Sequence, residues 1–152
     1  MAMTIVSPAF KAGEMIPAEF SCDGPNVSPP LVFGNVPAEA KSLAIIVDDP
    51  DAPAGTWVHW VAYNIPAGTK ELARNIPPQK ELPNGMRQGI NDFRKIGYGG
   101  PCPPGGTHRY FFKLYALDVL PNLPAGATKA QLLDAMKGRI LAQAELVGKY
   151  RR

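Results

Sequence analysis

Leu43-Ala44-Ile45-Ile46-Val47 is the longest unbroken apolar run in the chain, and its reading decides the fold. It is short, rich in β-branched residues and closely followed by the turn formers Asp49-Pro50-Asp51-Ala52-Pro53-Ala54-Gly55. Such a run suits a central strand buried on both faces. Two longer segments beyond it, Trp57 to Ile65 and His108 to Leu117, carry the aromatic and β-branched residues that fill half-buried strands. Turn signals punctuate the rest, at Asp23-Gly24-Pro25-Asn26, Ser28-Pro29-Pro30, Pro66-Ala67-Gly68, Pro77-Pro78, Pro83-Asn84-Gly85 and Gly99 to Gly106. Strands with turns and few helices between them predict an antiparallel, mainly β architecture. One helix is expected near the C-terminus. Thr128 and Gln131 form a capping box, and Leu132, Leu133, Met136, Ile140, Ala144 and Val147 follow at helical spacing up to a stop at Gly148.

Composition narrows the class. The 152 residues are 45% hydrophobic and 19% charged, with 15 Gly and 17 Pro, as expected of one folded, turn-rich domain over residues 1–152. An apolar run of five is far below the ~20 residues of a membrane span, and no signal-peptide pattern is present, so a soluble cytoplasmic protein is expected. The net charge of +3 has no clustered basic run behind it, which argues against a nucleic-acid partner. Cys22 and Cys102 form neither a CxxC metal pattern nor a disulfide framework. Because cytosolic disulfides are rare, two independent thiols are the favoured reading and a bond tying two loops is the alternative.

The chain has only two histidines, His59 and His108, and each begins an aromatic strand beside a Pro/Gly loop. Strict alternation puts Trp57, His59, Val61, Tyr63 and Ile65 on one face of the first strand. It puts His108, Tyr110, Phe112, Leu114 and Ala116 on one face of the second, with Val58, Trp60 and Arg109 pointing the other way. A cleft common to the two strands would hold two imidazoles, a phenol and an indole, a set suited to a phosphate or carboxylate. Asp49 and Asp51 are placed either to orient a histidine or simply to form the turn. The loop Gly97 to Gly106 lacks the GxGxxG and GK[ST] patterns, so it reads as a rigid rim and not a nucleotide cradle. Catalytic readings find little support. The serines Ser7, Ser21, Ser28 and Ser42 sit in no GxSxG elbow. Cys102 is flanked by prolines, HExxH is absent, and Asp49, Asp51, His59 and His108 only loosely resemble a two-His-plus-carboxylate metal set. No metal, cofactor or catalytic residue is expected.

Two signatures then carry a resemblance. Asp49-Pro50-Asp51-Ala52-Pro53 followed by Trp57-Val58-His59-Trp60 resembles the DPDAP…WxH motif of the phosphatidylethanolamine-binding protein (PEBP) family, the Raf-kinase-inhibitor-like proteins. Gly100-Pro101-Cys102-Pro103-Pro104-Gly105-Gly106-Thr107-His108-Arg109-Tyr110 is similar to its second motif, GPxPPxGxHRY. Cys22 to Leu31 and Phe111 to Asp118 resemble the compact prokaryotic branch. The resemblance implies a large antiparallel sheet packed on a smaller one, with a C-terminal helix. It also implies a small cavity for phosphate-type anions, including phospholipid headgroups such as phosphatidylethanolamine. Carried over by motif, the pocket residues are Asp49, Asp51, Pro53, Trp57, His59, Gly100, Pro101, His108 and Tyr110. The implied role is a non-catalytic binding module, with inhibition of a kinase or serine protease as the alternative; a hydrolase or metal enzyme using the same cleft is the least favoured reading. The chain departs from the animal pattern at Val58, which stands where those proteins have a second histidine, in its short Ala54–Thr56 loop, and in its short tail after the helix.

Overall fold

A computed structural model describes residues 1–152. Strand β3 (Ser42–Asp49) is buried at every position, as a central strand must be. It pairs antiparallel with β4 (Trp57–Pro66) on one side and β7 (Thr107–Leu117) on the other. Strands β6 (Arg87–Gln88) and β8 (Ile140–Arg151) complete a five-stranded sheet in the order β6-β4-β3-β7-β8. A smaller sheet, β1-β2-β5, is built from Thr4–Val6, Leu31–Gly34 and Glu71–Leu72.

The two faces of β3 serve two cores. Leu43, Ile45 and Val47 pack with Ile5, Leu31, Phe33 and Leu72 of the small sheet. Ala44 and Ile46 pack with Leu132 and Met136 of helix α1 (Lys129–Met136). The larger sheet is thus the middle layer between the small sheet and the helix.

The capping box forms. Thr128 Oγ1 accepts from Gln131 N–H at 3.2 Å, and Gln131 Oε1 accepts from Thr128 N–H at 2.9 Å. The helix, however, ends at Met136, after eight residues, and does not run to Val147. Gly138 adopts φ +74°, which a continuing helix does not allow, and Ile140–Arg151 then forms a strand. The apolar set has two readings: the helical spacing stops at Met136, while Ala142, Ala144, Leu146, Gly148 and Tyr150 alternate towards the larger core. The deciding force lies outside the segment. The eleven-residue β7 would otherwise leave one edge without hydrogen-bond partners, and β8 pairs along it from Thr107↔Arg151 to Leu117↔Ile140. Gly148 is a site of close packing and not a helix stop, since a side chain there would meet Phe10 and Ile16. A helix this short is marginal alone and is held by the burial of Leu132 and Met136.

Strict alternation fails in β4 for a local reason. Val47 pairs with Trp60 but Asp48 pairs with Val58, so His59 is an extra residue in the ladder. His59 and Trp60 therefore lie on the same side, with Trp60 in the inter-sheet core. Val61 and Tyr63 point to the helix side. A second register shift, opposite Leu43–Ile45, returns Ile65 to the inter-sheet face. In β7 no such shift falls between His108 and Ala116, and the expected shared face is observed.

Cys22 and Cys102 are bonded, with Cα atoms 5.4 Å apart, against the favoured reading of independent thiols. Backbone bonding brings the loops together, Cys22 N–H donating to the Pro101 carbonyl at 3.0 Å. The bond weighs against the expected cytoplasmic location, because disulfides persist mainly in oxidising compartments or hyperthermophile cells. Closing a loop of 80 residues stabilises by roughly 4.5 kcal/mol in the chain-entropy account. No helix is long and apolar enough to cross a membrane.

Candidate functional site

Antiparallel pairing brings the C-terminal end of β3 and the N-terminal ends of β4 and β7 to the same end of the large sheet. Asp49 closes β3 directly opposite Trp57, His59 sits on the bulge of β4, and His108 and Tyr110 open β7. These residues surround a cavity of about 210 Å³. That volume lies below the roughly 300–1,000 Å³ of sites for drug-sized ligands.

Each imidazole is fixed through Nδ1. His108 Nδ1 lies 2.7 Å from Asp49 Oδ2, and His59 Nδ1 lies 2.7 Å from the Gly99 carbonyl oxygen. Both acceptors are oxygens without a proton to give, so each Nδ1 is the donor and each Nε2 is left for a ligand. Neither Nε2 has a partner in the chain, and neither is sealed from solvent. Tyr110 stands between the rings, its centroid 5.1 Å from His59 edge-on and 6.5 Å from His108 in a stacked orientation. Asp49 is held twice, since its Oδ1 also accepts from Asp51 N–H at 2.7 Å. The anchor of His108 therefore cannot swing away without breaking the turn after β3.

The electrostatics follow from burial. His59 is 3% exposed, and desolvation lowers its pKa below the ordinary imidazole value despite the Gly99 carbonyl and the Asp49 charge. The Tyr110 phenol is pushed well up, first by burial and then by Asp49 and Asp51, and keeps its proton as a donor.

Of the nine residues expected at the site, Asp49, Pro53, Trp57, His59, His108 and Tyr110 line the cavity. Asp51, Gly100 and Pro101 do not. Asp51 turns to Arg109, accepting from its backbone N–H and from Nε, both at 2.9 Å, and from Nη2 at 2.8 Å. That guanidinium lowers the Asp51 carboxyl to about 2 and clips the turn after β3 onto β7. Gly100 donates its N–H to Asn26 Oδ1 at 2.8 Å, and Pro101 is buried against the Cys22 loop. Both fix the rim behind the cavity wall.

Five lining residues were not among the nine expected, and of these Phe93 alone lies outside both sequence motifs. Its ring meets Trp57 at 5.5 Å and His59 at 5.3 Å, both edge-on. It is presented by an Asx turn in which Asn91 Oδ1 accepts from Phe93 N–H at 2.9 Å, a signal legible in Asn91-Asp92. Ala52, Cys102, Pro103 and Pro104 complete the wall.

The fold and site together define a class: a two-sheet β protein with a small cavity at one end of the larger sheet, lined by two anchored imidazoles and an aromatic and proline rim. The family described as phosphatidylethanolamine-binding protein matches residues 6–151, and the chain belongs to that family. A UPF0098 protein of Methanothermobacter thermautotrophicus is 52% identical over 150 residues, covering 99% of both chains. A UPF0098 protein of Aquifex aeolicus is 50% identical, covering 99% of this chain and 89% of its own. The crystal structure of a PEBP homologue from Chlamydia trachomatis superposes with a TM-score of 0.92 at 46% identity, covering 99% and 98% of the two chains. That of Escherichia coli YBCL, titled a new member of the mammalian PEBP family, gives 0.91 at 34% identity over 100% and 99%.

Proposed function

We propose that this chain is a non-catalytic binding protein for a tetrahedral, phosphate-type anion, carried free or as a phospholipid headgroup. The observation that carries the reading is the pair of buried imidazoles that line the same 210 Å³ cavity, each anchored at Nδ1 and with no partner in the chain for Nε2. Tyr110 adds a protonated phenol, and Trp57, Phe93 and the prolines supply an apolar collar for whatever the anion is attached to. Binding and not turnover is favoured because the cavity offers no activated nucleophile. Its one hydroxyl is the Tyr110 phenol and its one sulfur is held in a disulfide.

Titration calorimetry with sulfate tests this, since sulfate stays dianionic while the imidazoles titrate. Affinity should rise as pH falls from about 8 to about 6, with proton uptake visible as a buffer-dependent enthalpy. Affinity that is flat across that range removes the histidines from the mechanism. Parallel titrations with phosphate, phosphoethanolamine and phosphatidylethanolamine vesicles separate the bare anion from the headgroup.

Action on a kinase or serine protease is the second reading, favoured by one observation: Trp57 is 36% exposed at the cavity mouth, an apolar side chain offered to a partner. Pull-down with wild type and Trp57→Ala, with and without phosphate, tests it. Identical captures for the two proteins would end it.

A further inference from the structure

The Cys22–Cys102 bond belongs to the cavity wall as well as to the scaffold. Cys102 lines the main cavity with His59 and His108. Cys22 lines a second, smaller hollow of about 90 Å³ that it shares with Lys95, Gly99 and Gly100. Both cysteines are half-buried, and each lines a hollow at the surface.

The two sulfurs differ in charge environment. Arg152 Nη1 lies 3.5 Å from Cys102 Sγ. The same guanidinium pairs with Asp23 through Nη2 at 3.4 Å, which shares its charge but leaves the Nη1 donor on the sulfur. In thiol–disulfide exchange the better-stabilised thiolate leaves faster, so Cys102 is the leaving group and Cys22 the sulfur attacked.

We propose that Cys22–Cys102 is a directional exchange site for small anionic thiols. A thiolate held by Lys95 attacks Cys22 Sγ. The Cys22–Cys102 bond breaks, a new disulfide forms between the thiol and Cys22, and the electron pair departs on Cys102 Sγ as a thiolate beside Arg152. The incoming thiol is oxidised to one half of the mixed disulfide, Cys102 is reduced, and no other reactant is needed. A consequence rests on the proposed function: the released thiolate places negative charge on the wall of the anion cavity. Exchange and anion binding then oppose each other, each weakening the other by the same factor.

The experiment treats the oxidised full chain with 2-mercaptoethanesulfonate or with 2-aminoethanethiol, at equal thiolate concentration. Free thiols are then alkylated and the peptides mapped by mass spectrometry. The sulfonate thiol should react several-fold faster, with its adduct on Cys22 and the alkyl group on Cys102. Arg152→Gln should slow the reaction and spread the adduct over both cysteines. Equal rates for the two thiols, or an adduct on Cys102 in wild type, overturn the proposal. Saturating sulfate should slow exchange. If it does not while the adduct stays on Cys22, the exchange site stands and the anion-cavity reading fails.

Discussion

Asp48 and Asp49 are neighbours on β3, both almost fully buried, and they face opposite sides of the sheet. Asp48 lies towards α1, where Lys129 Nζ meets its Oδ2 at 2.8 Å and Lys113 Nζ meets it at 3.3 Å. Every strong partner there is a permanent cation, and the lysines keep contact with solvent. Asp49 lies towards the cavity and meets a titratable ring whose second nitrogen is free. One carboxylate ends a network and holds the helix to the sheet. The other begins a network that stops at an open acceptor or donor. What separates a structural charge from a functional one here is the unfinished end, since burial is the same.

The comparison predicts separable losses. The largest is in stability: Asp48→Asn leaves two lysines without their counter-charge and should cost about 2–3 kcal/mol, somewhat below the range for a fully sealed pair. Denaturant unfolding reads it, and sulfate affinity should not change. A matching loss of sulfate binding would mean the two faces are not independent.

Next comes His108→Ala, which removes a charged hydrogen bond from the cavity. Sulfate affinity should fall by roughly 10- to 150-fold, or about 1.5–3 kcal/mol, by calorimetry. An unchanged dissociation constant would place the anion elsewhere.

The smallest effect is in the pH dependence of folding. Burial lowers the His59 pKa, so the unfolded chain binds that proton more readily than the folded one. Stability should therefore rise with pH through the region just below the ordinary imidazole value of about 6.5. His59→Gln should flatten that slope, and sulfate should flatten it in wild type by favouring the folded cation. A slope untouched by either change would assign it to other groups.

How far the sequence could be read follows from which forces are local. Leu43–Val47, the aromatic strands and the Thr128–Gln131 cap state their structure within a few residues, and each forms as expected. The place of both histidines at one end of the large sheet is legible because their loop-proximal positions do not depend on tertiary detail. What escaped is non-local. Ile140–Arg151 is a strand because β7 needs an edge partner, although part of its spacing also fits a helix. The extra residue at His59 reverses the alternation of Trp60, Val61 and Tyr63, and its cause lies in the match to β3. The Cys22–Cys102 bond depends on two loops meeting across 80 residues, and Phe93 reaches the cavity through a turn that only the fold aims. Asp51 shows the reverse case: its motif placed it at the site, and the structure turns its carboxylate to Arg109, which donates three hydrogen bonds to it.

The central claim is that one anion sits between both imidazoles, and the chain's two histidines make it directly readable. Nitrogen-15 NMR of the rings during a sulfate titration near pH 6.5 would observe each Nε2 by itself. The Nε2 signals of His59 and His108 should both move along a single binding curve while both Nδ1–H bonds persist. Movement of one ring alone, or two curves with different midpoints, would contradict it.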